Sequence, residues 1–267
     1  MYLSVLPGKL FVHNKKTNMQ TTIPSISTVL SSLLRADFTT QWRNRRSVIL
    51  VVLVPVVILI SWKGLVEKLG GTFVLSNSIT IGLNAIGLMG YSNAIARDRD
   101  KGVFQRLRVA PIPSWSIMLS RLLVQLAMIL TVTAAVFITG YYFDKISLSP
   151  AGYALGFVAA FVGGTVYLAL GQAIVGLIKN PETVNAVTRL TYFVFIMIGM
   201  FGELGMLGHQ LGEAVRWSPY GAVKRLLSAS MDPHTWTQDT TLSLLVTIGY
   251  TIVFTTLGIK WFKWNTR

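Results

Sequence analysis

The chain has 267 residues, 52% of them hydrophobic and 13% charged, with a mean hydropathy of +0.57 and no cysteine. Roughly half the charge of an average soluble domain is missing, and the remainder is one-sided, with 24 Lys+Arg against 10 Asp+Glu for a formal +14. This composition excludes a disordered chain, a coiled coil, a disulfide scaffold and an ordinary soluble enzyme, argues against a nucleic-acid partner, and points to a multi-pass membrane protein.

Residues 1–46 read as an N-terminal region without a signal peptide, because its basic residues follow a very short apolar stretch. Within it, Ile26, Val29, Leu30, Leu33, Leu34 and Phe38 recur at three- and four-residue spacing. That pattern predicts an amphipathic helix lying in the membrane interface beside the basic run at 43–46, or else packed on soluble protein. Residues 47–267 form the membrane domain. A bilayer core needs about 20 apolar helical residues per crossing, and six segments are predicted to cross: Ser47–Trp62 with an internal Pro55, Val74–Ala94, Ile117–Phe143, Ala151–Ile178, Leu190–Leu207 and Leu242–Phe262. The predicted fold class is therefore all-α, with six transmembrane helices and an interfacial helix ahead of them.

Six crossings place both termini on one side. That side holds 18 basic and 4 acidic residues, and the other holds 6 of each. The excess of Lys and Arg marks the first side as cytoplasmic. The expected location is the plasma membrane, with both termini inside.

Membrane enzymes carry polar signatures that are missing here. There is no H-E-x-x-H, and His13, His209 and His234 are too scattered for a metal site. Gly90-Tyr91-Ser92-Asn93-Ala94 half-resembles a nucleophile elbow, but Ala94 replaces its last Gly and the segment reads as helix packing. No G-x-x-x-x-G-K-[ST] is present, so any ATP and Mg must be bound by another polypeptide. No cofactor or metal is expected in this chain. The central parts of the spans carry no carboxylate, which disfavours an ion-coupled carrier.

Gly152, Gly156, Ala160 and Gly164 are small residues at four-residue spacing, suited to close helix approach. Gly199, Gly202, Gly205, Gly208 and Gly212 would weaken a continuous helix. Two readings remain: plain helix packing, or an extracytoplasmic re-entrant region over 205–225 involving Glu203, Gly205, Trp217 and Pro219. Polarity alone nominates Asn77, Asn84, Gln125 and Thr131 as residues lining a pathway.

The most informative stretch is the loop at 95–116. It mixes Arg97, Asp98, Arg99, Asp100 and Lys101, then turns at Gly102, and then places Phe104 and Leu107 among Gln105, Arg106 and Arg108 before Pro111 and Pro113. A short helix with one apolar face and a basic rim reads either as a docking surface for a cytosolic partner, its charge meeting acidic grooves or anionic lipid heads, or as a solvated basic loop that serves only topology.

Here the sequence resembles the membrane subunit of ABC type-2 exporters. Asp100-Lys101-Gly102 and Arg106-Leu107-Arg108-Val109-Ala110-Pro111 match the family's pattern after its second span, and Ile117 and Arg121 continue the match. The family more often has Glu-x-Gly-Thr, so Asp100 and Val103 depart from it. Asn180-Pro181-Glu182-Thr183 and Trp217-Ser218-Pro219-Tyr220 are weaker matches. The resemblance implies a permease that is not catalytic by itself. Two such subunits, identical or different, would form the pore, each touching a separate cytosolic ATP-binding subunit. Asp98–Pro111 would couple ATP use to the spans and drive export of an apolar, lipid-linked or drug-like substrate. The alternative is a non-transporting membrane scaffold or assembly factor that recruits a cytosolic partner.

Overall fold

The structure, a computed structural model, describes residues 25–108, 113–203 and 208–262. It is all-helical among those residues. The first element, α1 (Ile26–Arg43), is capped by the Ser25 hydroxyl, which accepts from the Thr28 amide at 3.4 Å. Val29, Leu30, Leu33, Leu34, Asp37 and Gln41 are its half-buried face, while Ile26, Phe38 and Trp42 stay exposed. At Asn44 the chain turns by 63° into α2 (Arg45–Ser61), and α3 (Lys63–Leu69) follows. Pro55 is buried inside α2, and its ring packs beside Gly82 of the next long helix. That neighbour fills the notch a proline leaves in a helix.

The next span is one run of helix from Gly71 to Asp100 with a change of pitch in the middle: α4 (Gly71–Asn84), a π-helical stretch (Ala85–Tyr91) and α5 (Ser92–Asp100). The π stretch coincides with the closest approach between helices. A Cβ on Gly87 would overlap the backbone of Tyr167, and one on Gly171 would overlap the Gly87 carbonyl and the Ser92 hydroxyl. Ser92 donates to the Gly87 carbonyl at 3.0 Å, so the half-elbow at 90–94 is helix packing. After α6 (Val103–Arg108) come α7 (Ser114–Phe143) and α8 (Pro150–Leu177). The small-residue face of α8 receives Met231 at Gly152, Phe137 at Gly156 and Ile129 at Gly164.

Three later helices begin with the same device. Ser149, Asn180 and Ser218 cap α8, α9 (Pro181–Glu203) and α11 (Pro219–Met231), each followed by a proline at the first helical position. The cap satisfies an orphan amide, and the proline has none to satisfy. The helix of the fifth expected span therefore starts at Pro181 and not near Leu190, so most of the stretch 179–189 expected to link two spans is helix. Between α9 and α11 lies α10 (Gly208–Trp217), and the chain ends its described part with α12 (Gln238–Trp261). Five helices are long and apolar enough to cross a membrane, and a sixth span results if the bent α1–α2 pair counts as one.

The core lies where α4, α7, α8 and α11 meet. Ten of the thirteen α11 residues are buried. At the periphery, α9 exposes Leu190, Phe193, Val194 and Ile198, and α12 exposes Leu242, Leu245, Ile248 and Ile252. Two ends can be distinguished: the α6 end, which carries α1, the foot of α5 and the last turn of α8, and the far end, which carries Gly70 and Asp144.

Candidate functional site

At the α6 end, α5 stops at Lys101 because Gly102 takes φ +66°, a left-handed conformation that costs glycine nothing. The Gly102 amide donates to the Arg99 carbonyl at 3.1 Å, and its own carbonyl accepts from Arg106 at 3.2 Å, which starts α6. Phe104 is fully buried and meets the Phe262 ring edge-on at 6.1 Å, and Leu107 is half-buried beside it. Arg97, Asp100, Lys101, Gln105 and Arg106 face outward. The turn thus has a greased underside and a charged top. Pro111 lies outside the described residues.

Two polar anchors hold this turn in place. Arg99 is 3% exposed and donates to the carbonyls of Val175, Ile178 and Lys179 at 2.7, 2.6 and 2.8 Å. Helix ends leave carbonyls without partners, and a guanidinium offers a fan of donors that fits them. Arg99 therefore closes the last turn of α8. It is not one of the free surface cations among which the sequence pattern grouped it. The second anchor is an ion cluster. Arg121 of α7 pairs with Asp98 at the foot of α5, and its Nε lies 3.1 Å from Asp37 Oδ1 on α1. Ser120 donates to Asp37 Oδ2 at 2.6 Å. Burial pushes the Asp37 carboxyl above its ordinary range; Ser120 and Arg121 oppose that shift, and Asp98 reinforces it.

Sequence reasoning did not single out Asp37 as a site residue. It was visible as the one acid of its helix, but its partner sits 84 positions away, beyond any local spacing rule.

The four residues nominated by polarity do not come together. Asn77 and Asn84 are buried inside the packed wall of α4. Asn77 accepts from Tyr220 of α11 at 3.2 Å, and Asn84 donates to the Tyr192 carbonyl of α9 at 3.4 Å. Asn84 Oδ1 and the Tyr167 hydroxyl are buried without a hydrogen-bond partner. Gln125 lines a cavity of about 370 Å³ at the α6 end, between α1, α2, α5, α7 and α9. Thr131 points outward from α7, its hydroxyl satisfied by the Ala127 carbonyl at 2.9 Å.

A second cavity of about 540 Å³ lies between α9, α10 and α11 and is lined by Gly199, Gly212, Tyr220 and Lys224. Lys224 is buried with its ammonium 3.8 Å from the centre of the Phe73 ring, a cation–π contact. The Trp217 carbonyl accepts from Tyr250 at 2.9 Å, and Pro219 opens α11. Gly205 and the side chain of Glu203 lie outside the described residues. Among the described residues no cluster of His, Cys, Asp and Glu could hold a metal ion.

Comparison with known proteins adds one match. A family model described as "ABC-2 family transporter protein" covers residues 66–260. No curated protein matches the sequence.

Proposed function

Because the chain belongs to the ABC-2 family of transporter proteins, we propose that it is the membrane half of an exporter that takes its energy from a separate cytosolic ATPase. The α6 end faces the cytoplasm in this reading, with the basic excess of the sequence on that side. Two copies, or this chain and a related one, enclose the pathway. The cargo is apolar, lipid-linked or drug-like. The membrane is the plasma membrane, and α1 lies along its inner surface with Ile26, Phe38 and Trp42 turned toward lipid.

One observation carries the coupling role. The α5–α6 turn shows Arg97, Asp100, Lys101 and Arg106 to solvent while Arg99 and Phe104 tie it to α8 and α12. A push on its charged top is transmitted to both helices without a flexible link. At the other end, α10 and α11 are read as a re-entrant hairpin. Tyr220 reaches Asn77, six residues along α4, or about 9 Å of rise. Tyr250, twelve residues along α12, holds the Trp217 carbonyl about 18 Å from that helix's start.

The test is co-purification with the ATPase, followed by transport in reconstituted vesicles. Arg106→Glu is expected to weaken association about tenfold, the scale of an interfacial charge reversal, while membrane levels stay normal. Gly102→Pro, incompatible with a φ of +66°, should uncouple ATP use from transport. Association unchanged by Arg106→Glu would refute the docking surface. ATPase binding without ATP-driven movement of any cargo would make the chain a scaffold.

A further inference from the structure

We propose that the cavity between α1, α2, α5, α7 and α9 binds an amphiphile with a phosphate-type anionic head, drawn from the leaflet at the α6 end. This rests on the exporter reading and deepens it by naming the class of cargo.

The charge at the mouth is uncompensated. Arg97, Lys101 and Arg189 line the cavity, and none of them makes an ion pair or side-chain hydrogen bond among the described residues. The two carboxylates in the same lining, Asp37 and Asp98, are both held by Arg121. Asp37 and Asp98 share that one cation, so the lining carries four cations against two carboxylates, a net +2, and Arg97, Lys101 and Arg189 are the three with no ion pair among the described residues. Two of the three are guanidiniums, which bind two oxygens of one group at once, and a phosphate has oxygens enough to be shared.

The inner part has a different chemistry. Leu50, Ile86, Val124 and Met128 form its walls. Met128 lies fourteen residues along α7, or about 21 Å of rise, so the cavity runs from the basic mouth toward mid-depth. Leu50 is 57% exposed on the outer face of α2, beside Ile49 and Leu53, where a lipid chain would lie. Between head and tail regions stands Gln125, 8% exposed and without a hydrogen bond among the described residues. Its amide opens on the cavity and has two donors and an acceptor to offer the neck of a bound amphiphile.

A protein docked on α6 does not account for the same residues. Arg189 is eight residues along α9 from Pro181, about 12 Å of rise above its start, and Gln125 is almost enclosed. The lining also disfavours cationic drugs as cargo, since their charge would meet Arg97, Lys101 and Arg189 directly.

The full chain in a nonionic detergent is titrated with phosphatidylglycerol carrying a fluorescent acyl tail, and with phosphatidylcholine carrying the same tail. Phosphatidylglycerol should bind about tenfold tighter, as expected when one net charge is recognised by unpaired cations. Arg189→Gln should weaken it about fivefold or more with phosphatidylcholine unchanged, and Gln125→Leu, which removes a partner of the neck the two lipids share, should weaken both about fivefold. Lys260→Gln, an exposed cation at the same end but outside the cavity, should change neither. Equal affinity for the two lipids, or no effect of the cavity variants, overturns the proposal. So does displacement by glycerol phosphate at matched concentration, which would make the ligand a soluble anion. Arg97→Gln and Lys101→Gln that weaken only ATPase association would also overturn it. Failure of the exporter reading is read elsewhere, as the absence of ATP-driven cargo movement in vesicles.

Discussion

The second long helix and the last one are nearly opposite in how they sit in the molecule. Within the most apolar window of each, 83% of Gly71–Asp100 is buried but only 17% of Gln238–Trp261. Yet the buried helix is the polar one. It carries Ser76, Asn77, Ser78, Thr80 and Asn84 out of contact with the surroundings, while the last helix turns Leu242, Leu245, Ile248 and Ile252 outward. In water that arrangement would be upside down. In a bilayer the surroundings are apolar, so polar groups gather where other helices can bond them and plain Leu and Ile faces need no partner. What holds the centre is close packing and hydrogen bonding, and the periphery is apolar enough to face acyl chains.

Substitution at glycines gives the largest expected break in this contrast. Gly87 and Gly171 admit no Cβ without displacing backbone, whereas Gly249 of α12 has nothing within 4 Å of where its Cβ would be. Gly87→Leu should abolish accumulation of folded protein, beyond the roughly 1–3 kcal/mol usual for overpacking because backbone cannot rotate aside. Gly249→Leu should leave yield and monodispersity as they are. Size-exclusion profiles of the two variants decide the matter, and equal behaviour would mean the contact of the π-helical stretch with α8 is not the core.

Next in size is the pair Arg99 and Arg97, two positions apart on one helix. Arg99→Ala removes three donors from the end of α8 and should cost about 3 kcal/mol, the scale for charged hydrogen bonds lost from a buried site. Arg99→Lys should recover part of it, since an ammonium keeps three donors but not their planar fan. Arg97→Ala, at an exposed position, should stay within about 0.5 kcal/mol. Thermal unfolding followed by tryptophan fluorescence measures all three.

A smaller effect is expected from Asp37. Its carboxyl is raised in the folded state above 3.8, first by burial. The fold thus favours the protonated form. That contribution is fully present below the unfolded pKa and is lost as pH rises through the folded value. Stability of the native protein should therefore decline across the window just above 3.8, and Asp37→Asn should flatten that part of the profile. A profile unchanged by the substitution would remove Asp37 as its source.

Which of these features the sequence made legible follows from the range of the interaction. Hydropathy located the long helices to within a few residues because twenty apolar positions in a row suit little besides a membrane span. It misplaced the start of α9, because Glu182 and Arg189 look like loop; the Asn180–Pro181 cap, readable in its own right, marks the true start. The helix after Gly102 and its apolar face were legible because they are local. The burial of Arg99 was not, since its partners lie 76 to 80 positions away, although its place one turn after Ile95 on the buried face was a clue. Polarity alone did not show where the four residues it nominated sit, for a physical reason. Thr131 satisfies its hydroxyl on its own helix, so it can face an apolar medium at little cost, while Asn77 and Asn84 bond to neighbouring helices inside the wall.

The smallest expected effect is also the one that identifies what covers the periphery. Ile86 is buried within the π-helical stretch, and Ile252 is 58% exposed on α12. Ile86→Ala leaves a cavity that rigid neighbours cannot close and should cost about 2–5 kcal/mol. Ile252→Ala in a lipid bilayer exchanges contacts with acyl chains for slightly different contacts with acyl chains, and its expected cost is under about 0.5 kcal/mol. The same logic applies to Phe193 of α9, 57% exposed. If the second subunit packs on α9, Phe193→Ala weakens dimer formation in nanodiscs while Ile252→Ala does not. If it packs on α12, the order reverses. No effect at either position assigns both faces to lipid and leaves α2, whose Ile49, Leu53 and Val57 form the remaining long apolar face, as the place to test for the proposed second subunit.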